Sequence, residues 1–188
     1  MKHLVPVLFA FALFGCHHES DLPRLFPVPN VTLIADSGKP LALDSLKGHV
    51  TVYNFIFTNC AGSCSVMTSQ MHNLTKKIDK DARVRFVSIS VDSERDTPEK
   101  LAEYAKHVRN DPRWVFLTGT KDQIIHLSVD GFKLAAGGTT QTAAEPLLHS
   151  AKFAIADKDG MIREYYGGTE TDAPDHVAAT IKDLLKEN

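Results

Sequence analysis

The chain has 188 residues, of which 43% are hydrophobic and 23% are charged, and its formal net charge at pH 7 is −2. This length and composition allow one ordinary globular domain with a short leader, and they exclude a globally disordered chain. A near-neutral charge with no basic run longer than a pair excludes a nucleic-acid-binding surface.

The N-terminal segment has the pattern of a secretory signal. After a short positive start, residues 4–14 form an apolar run that is too short to cross a bilayer, which needs about 20 residues. The run ends on Leu13-Phe14-Gly15-Cys16, which resembles a bacterial lipobox. We therefore expect residues 1–15 to be a lipoprotein signal peptide and Cys16 to carry a lipid that holds the protein on the periplasmic face of a bacterial membrane. An ordinary signal peptide with an incidental Cys is the alternative.

Residues 16–30 contain three prolines and no usable periodicity. This composition is typical of an extended tether. Its 14 residues after Cys16 could reach at most about 50 Å from the membrane. The folded domain is expected over residues 31–188.

Strands and helices alternate along the domain. Strands are predicted at 31–35, 50–57, 84–91 and 114–117, helices at 67–78, 96–108, 121–129 and 174–186, and a hairpin at 152–156 and 161–166. This order predicts parallel strands with helices on both faces and an antiparallel edge. The fold class is therefore α/β, in the three-layer thioredoxin-like arrangement with an N-terminal extension.

Cys60 and Cys64 lie between a buried strand and a helix start. A disulfide that closes a five-residue loop stabilises little chain, so the pair calls for a chemical explanation. The N-terminus of a helix favours the thiolate, which is both the nucleophile of disulfide exchange and a soft ligand for copper(I) or zinc. Cys60 and Cys64 could therefore act as a redox pair or, when reduced, bind a metal ion, and a structural disulfide is the alternative.

A third ligand is required for a selective copper(I) site, and an imidazole or a thioether commonly supplies it. Among the nine histidines, His149 closes an irregular loop and starts a predicted strand, at the point where a thioredoxin fold passes beside the Cys loop. His149 is therefore the candidate that stands out among the histidines, with a capping or buried neutral histidine as the alternative.

Two further sets of residues have simpler explanations. Met67 and Met71 could extend a soft-metal site, but their helical spacing favours the hydrophobic core. The acidic residues Asp92, Glu94 and Asp96 could bind a cation or a basic partner, but a role at a strand end and as a helix cap explains Asp96 without either.

The sequence resembles the Sco/SenC family of copper-binding, thioredoxin-like assembly factors for cytochrome c oxidase. Four segments carry the resemblance: Phe55 to Cys64, Ser90 to Glu99, Leu117-Thr118-Gly119, and His149-Ser150 leading to Ile155 through Gly160. The resemblance implies that Cys60, Cys64 and His149 bind copper, as Cu(I) or Cu(II). It also implies two partners: the oxidase subunit that carries the CuA site and an upstream thiol reductant.

Two departures from the family pattern bear on metal affinity. The loop between the cysteines is Ala61-Gly62-Ser63, where the family often has Pro and an acidic residue, and Leu148 precedes His149, where the family often has an acidic residue. Losses of this kind typically weaken metal binding about 10–100-fold. The leading hypothesis is a copper chaperone for CuA assembly. The alternatives are a thiol-disulfide oxidoreductase and a redox or copper sensor. Only the oxidoreductase would be an enzyme.

Overall fold

The computed structural model describes residues 19–60, 62–134 and 150–187. The strands are β1 (Phe26–Pro27), β2 (Thr32–Ala35), β3 (Pro40–Ala42), β4 (Val50–Ile56), β5 (Val84–Ser90), β6 (Trp114–Thr118), β7 (Lys152–Ala156) and β8 (Met161–Gly167). The helices are α1 (Ser63–Lys77), α2 (Pro98–Val108), α3 (Lys121–His126) and α4 (Ala173–Leu184), with a 3-10 turn at Leu43–Leu46 and a π-helical turn at Leu127–Gly131 after α3. None of the helices in these ranges is long and apolar enough to cross a membrane.

The strands form one eight-stranded sheet in the order β1-β8-β7-β4-β5-β6-β2-β3. Strands β4, β5 and β6 are parallel, and the β7–β8 hairpin joins β4 in the antiparallel sense. The alternation predicted from the sequence is confirmed, and so is the antiparallel edge. At the other edge, β2, which was predicted as a strand at 31–35, forms an antiparallel pair with β3, which was not predicted.

The central strand β4 is buried on both faces, which explains its nearly continuous apolar sequence. Val52 and Ile56 pack into a core shared with α1, α2 and α4. Tyr53 and Phe55 pack into a second core on the opposite face, where both rings meet Phe132 edge-on at centroid distances of 5.0 and 5.3 Å. The structure therefore has the three-layer α/β/α architecture.

The described part of the predicted tether lies against the domain. Strand β1 pairs with β8, and Ser20 is buried against the last turn of the chain. Arg163, on β8 and only 3% exposed, donates hydrogen bonds to Asp157 Oδ2 at 3.0 Å and Glu187 Oε2 at 2.8 Å. It also bonds Ser20 Oγ at 3.0 Å and the carbonyl oxygens of residues 22 and 23. We call Ser20, Asp157, Arg163 and Glu187 the latch. A buried guanidinium needs several hydrogen-bond acceptors. Arg163 has five, and residues 20–23 supply three of them.

The latch and the Cys loop lie at opposite ends of the sheet. Asp157 directly follows Ala156, which pairs with Thr51 near the start of β4. The Cys loop leaves the other end of β4, after Ile56. Seven residues of β-strand, about 20 Å, therefore separate the two features along β4.

Candidate metal and redox centre

The Cys loop connects the end of β4 to the first turn of α1, at the C-terminal ends of the parallel strands. Cys60 is half-buried in the loop, and Cys64, in the first turn of α1, is 1% exposed. Both are reduced thiols in the structure. The loop is accessible beside Gly62, where a Cβ atom would meet no other atom within 4 Å. Because Cys60 itself is only half-buried, a reactant can approach it from solvent.

The two thiols have opposite electrostatic environments. Burial opposes ionisation of Cys60, but the Cys64 thiol and the N–H groups of residues 62 and 64 donate hydrogen bonds to its sulfur, so that the pKa of Cys60 is lowered. Burial raises the pKa of Cys64 to about 12, helped by the hydrogen bond it donates to Cys60 and by the negative charges of Cys60 and Asp96. Cys60 is therefore the thiol of the pair that ionises more readily, and Cys64 is the buried thiol that donates a hydrogen bond to it.

A buried carboxylate lies beneath the loop. Asp96 is 1% exposed and accepts hydrogen bonds from the Thr58 backbone N–H at 2.9 Å, the Thr58 hydroxyl at 2.5 Å and the Ser90 hydroxyl at 2.5 Å. The helix-cap role predicted for Asp96 is wrong. Thr97 is the N-cap of α2 and accepts from the Lys100 N–H at 3.4 Å, because the chain turns one residue later than the sequence suggested.

Other side chains of α1 and α2 lie near the thiols. The hydroxyl groups of Tyr104 and Thr68 are 2.9 Å apart, and the pKa of Tyr104 is raised by burial and by the negative charges of the two cysteines and Asp96. Met67 and Met71 are fully buried in the core, as their helical spacing predicted. Sequence reasoning missed Tyr104 and the role of Asp96, although Asp96 lies in Ser90 to Glu99, one of the four segments that carry the family resemblance.

His149 and its neighbour Leu148, Ala61 of the loop, and Cys16 lie outside the described residues. The chain resumes at Ser150 and Ala151, and Ala151 packs at the margin of the core that contains Cys64 and Met67. A Cβ atom added at Gly168 would lie 3.0 Å from the Met67 side chain and 3.4 Å from the Ala151 carbonyl oxygen. The segment that follows His149 therefore runs beside α1, one turn beyond Cys64.

Several histidines in the described ranges already have other partners. His49 and His72 bond backbone carbonyl oxygens at 3.1 Å, and His126 and His176 pair with Asp130 and Glu164 at 2.8 and 2.6 Å. No cluster of three His, Cys, Asp or Glu side chains that could hold a metal occurs within residues 19–60, 62–134 and 150–187. Two sulfurs that share a hydrogen bond, one of them with a lowered pKa, suit a soft cation such as copper(I), and a third donor would have to come from elsewhere.

Comparison with known proteins gives consistent matches. A family model described as SCO1/SenC matches residues 28–186. The structure is similar to that of a SCO1/SenC family lipoprotein from Bacillus anthracis, with a TM-score of 0.76 and 29% identity over 85% of this chain and 95% of that chain. It is similar to BsSco, a member of the Sco family of cytochrome c oxidase assembly proteins, with a TM-score of 0.75 and 31% identity over 88% and 96%. It is also similar to copper-bound ScoI of Bradyrhizobium japonicum, with a TM-score of 0.71 and 26% identity over 86% and 100%.

Proposed function

Because this chain belongs to the SCO1/SenC family, we propose that it is a membrane-anchored copper chaperone that assists metallation of the CuA site of cytochrome c oxidase. The observation that carries the proposal is the pair of reduced thiols after β4, which share a hydrogen bond that lowers the pKa of Cys60. The copper bound by the relative from Bradyrhizobium japonicum supports the choice of metal.

In this proposal Cys60 and Cys64 supply two sulfur ligands and His149 supplies an imidazole. Copper(I) prefers soft sulfur ligands, and it lowers the pKa of a thiol that coordinates it, so that Cys64 can give up its proton on binding. Because Cys64 sits in the first turn of α1, its sulfur has a fixed position, whereas Cys60 lies in the loop. Delivery to the oxidase would then begin at the accessible Cys60 side of the site.

The anchoring part of the proposal rests on the sequence. A lipid on Cys16, after removal of residues 1–15, would hold the domain at the periplasmic face of a bacterial membrane. The related protein of Bacillus anthracis is described as a lipoprotein, which supports this location. Labelling cells with a radioactive fatty acid tests it: native protein should be labelled, and a Cys16→Ser variant should not.

The test of the copper site is a competition titration of the full-length, reduced protein in detergent with copper(I) and a chromophoric chelator. His149→Ala should weaken copper(I) binding at least about tenfold, equivalent to about 1.4 kcal/mol. His107→Ala is the matched control, because His107 is exposed on α2, and it should bind copper(I) like the native protein. Equal affinity of the two variants would remove His149 from the site, and native protein that binds no copper(I) would refute the chaperone.

The asymmetry of the thiols also favours a second candidate, a thiol-disulfide oxidoreductase acting on a disulfide of the partner. The Cys60 thiolate attacks one sulfur of that disulfide, which forms a mixed disulfide and releases one partner thiolate. Cys64 then loses its proton and attacks the Cys60 sulfur, which releases the second partner thiolate. The partner gains two electrons, Cys60 and Cys64 become a disulfide, and an upstream thiol reductant must return the pair to its reduced state.

A trapping experiment separates this candidate from the chaperone. With Cys64→Ser, the mixed disulfide between Cys60 and an oxidised partner dithiol cannot be resolved and should accumulate on a non-reducing gel. With Cys60→Ser, no such species should form, because the remaining thiol is buried and protonated. If neither variant forms an adduct, the reductase candidate is rejected.

A further inference from the structure

Asp96 is a buried carboxylate that does not cap α2, the helix that follows it. Within the described residues, its three hydrogen-bond donors are all neutral, and no Lys, Arg or His side chain forms an ion pair with it. The neighbouring Arg95 pairs with Asp92 instead, at 2.5 Å. A carboxylate that is buried without a cation is costly, and neutral hydrogen bonds offset only part of that cost.

The three contacts of Asp96 connect the ends of two neighbouring strands. Thr58 follows β4, Ser90 ends β5, and Asp96 itself stands just before α2. Thr58 uses both its backbone N–H and its hydroxyl, one on each carboxylate oxygen, so that its backbone and its side chain are both fixed. Cys60 is two residues further along. The carboxylate therefore fixes the start of the loop that carries the reactive sulfur.

The charge of Asp96 also reaches the site. Its carboxylate is hydrogen-bonded to Thr58, two residues before Cys60, so its negative charge lies close to the loop that carries the sulfur. A fixed negative charge behind two thiols favours a cation bound to them and disfavours extra negative charge on the reduced pair. Position and charge thus act in the same direction, towards a bound cation.

We propose that Asp96 is the positioning residue of the Cys60–Cys64 centre, which fixes the loop through Thr58 and supplies the negative charge that favours a cation at the two sulfurs. This inference rests on the proposed function for the identity of the cation, copper(I). The effect of Asp96 on the two thiols does not require copper. A loosened loop brings the two sulfurs together less well and weakens the disulfide, and removal of the charge stabilises the reduced pair. Both effects shift the Cys60–Cys64 couple towards the reduced form.

The experiment compares Asp96→Asn with Asp92→Asn in the full-length protein. The two residues lie in the same loop and are both buried, but the Asp92 side chain accepts a hydrogen bond from Arg95, whereas the Asp96 carboxylate accepts from Thr58 and Ser90. The reduction potential is measured in glutathione buffers, copper(I) affinity by chelator competition, and the unfolding midpoint by circular dichroism. Asp96→Asn should favour the reduced pair about tenfold, a potential less negative by about 30 mV, and should weaken copper(I) binding about tenfold.

Asp92→Asn should match the native protein in potential and in copper(I) affinity, whatever its effect on the unfolding midpoint. If the two variants have the same potential, or if Asp96→Asn changes only the midpoint, the proposal is overturned. Native protein that binds no copper(I) would refute the chaperone function, and the potentials would still decide the role of Asp96.

A second pair of variants applies if Asp96→Asn fails to fold. Thr58→Val removes the hydroxyl that Asp96 Oδ1 accepts from and keeps the backbone contact, whereas Thr58→Ser keeps both. The valine variant should shift the potential in the same direction as Asp96→Asn, and the serine variant should restore the native value. Equal potentials in the two Thr58 variants would overturn the positioning role.

Discussion

Arg163→Met tests whether the latch holds the N-terminal segment on the domain. The native guanidinium bonds the carboxylates of Asp157 and Glu187, whose side chains are only 3% and 13% exposed. Methionine fills a similar volume but leaves both carboxylates without that partner. Removing one member of a buried ion pair typically costs about 3–5 kcal/mol. For a chain of this size each kcal/mol corresponds to about 2–4 °C, so the unfolding midpoint should fall by about 6–20 °C.

The matched control is Arg24→Met. Arg24 approaches the same Asp157 carboxylate at 3.3 Å and Asp159 at 2.9 Å, but its side chain is 47% exposed. Exposed pairs of this kind contribute about 0–1 kcal/mol, which predicts a shift of at most about 4 °C. Thermal melts followed by far-ultraviolet circular dichroism at neutral pH measure both variants. If Arg163→Met melts within a few degrees of Arg24→Met, the latch does not stabilise the fold and the reasoning fails.

Two further predictions concern the thiols and the acid side of the latch. Iodoacetamide at about pH 7 should alkylate Cys60 at least about a hundredfold faster than Cys64 in the folded, reduced protein, because only the pKa of Cys60 is lowered. Peptide mass spectrometry measures the two rates, and comparable rates would contradict the assigned asymmetry. Burial opposes ionisation of Glu187, but hydrogen bonds from Arg163 and Ser20 lower its pKa to about 2. Its contribution to stability is therefore complete above about pH 4.5 and lost as the pH falls towards about 2, up to about 3 kcal/mol. Urea titrations at these pH values should show that Glu187→Gln loses less stability than the native protein does, and equal losses would rule out this linkage.

Much of the fold could be predicted because its signals are local. The apolar run of β4 and the spacing of Met67, Met71 and Leu74 each specify an element within a few residues, and both elements are present. Strand β3 was missed because Pro40–Ala42 is only three residues long and gains its order from pairing with β2. The docking of residues 20–28 was missed for a similar reason, since Ser20 and Arg163 are 143 positions apart.

The candidate site was predicted in part. Cys60 and Cys64 could be found because a thiol pair between a buried strand and a helix is a local pattern, and the structure places them together. Their different pKa values could not, because these depend on burial and on a charge 32 residues after Cys64. Asp96 was predicted to cap α2, whereas its carboxylate accepts hydrogen bonds from Thr58, which follows β4. His149 as a ligand stays a prediction.

The latch changes the distance at which an anchored domain could work. A free tether would let the thiols sample a hemisphere of about 50 Å radius. With Ser20 fixed to Arg163, only three residues separate Cys16 from the folded body, a span of at most about 14 Å. If Cys16 carries the lipid, as we propose, the latch end of the domain stays within about 14 Å of the headgroups. The thiols, about 20 Å from the latch along β4, would then reach a narrower range of distances from the bilayer than thiols on a free tether.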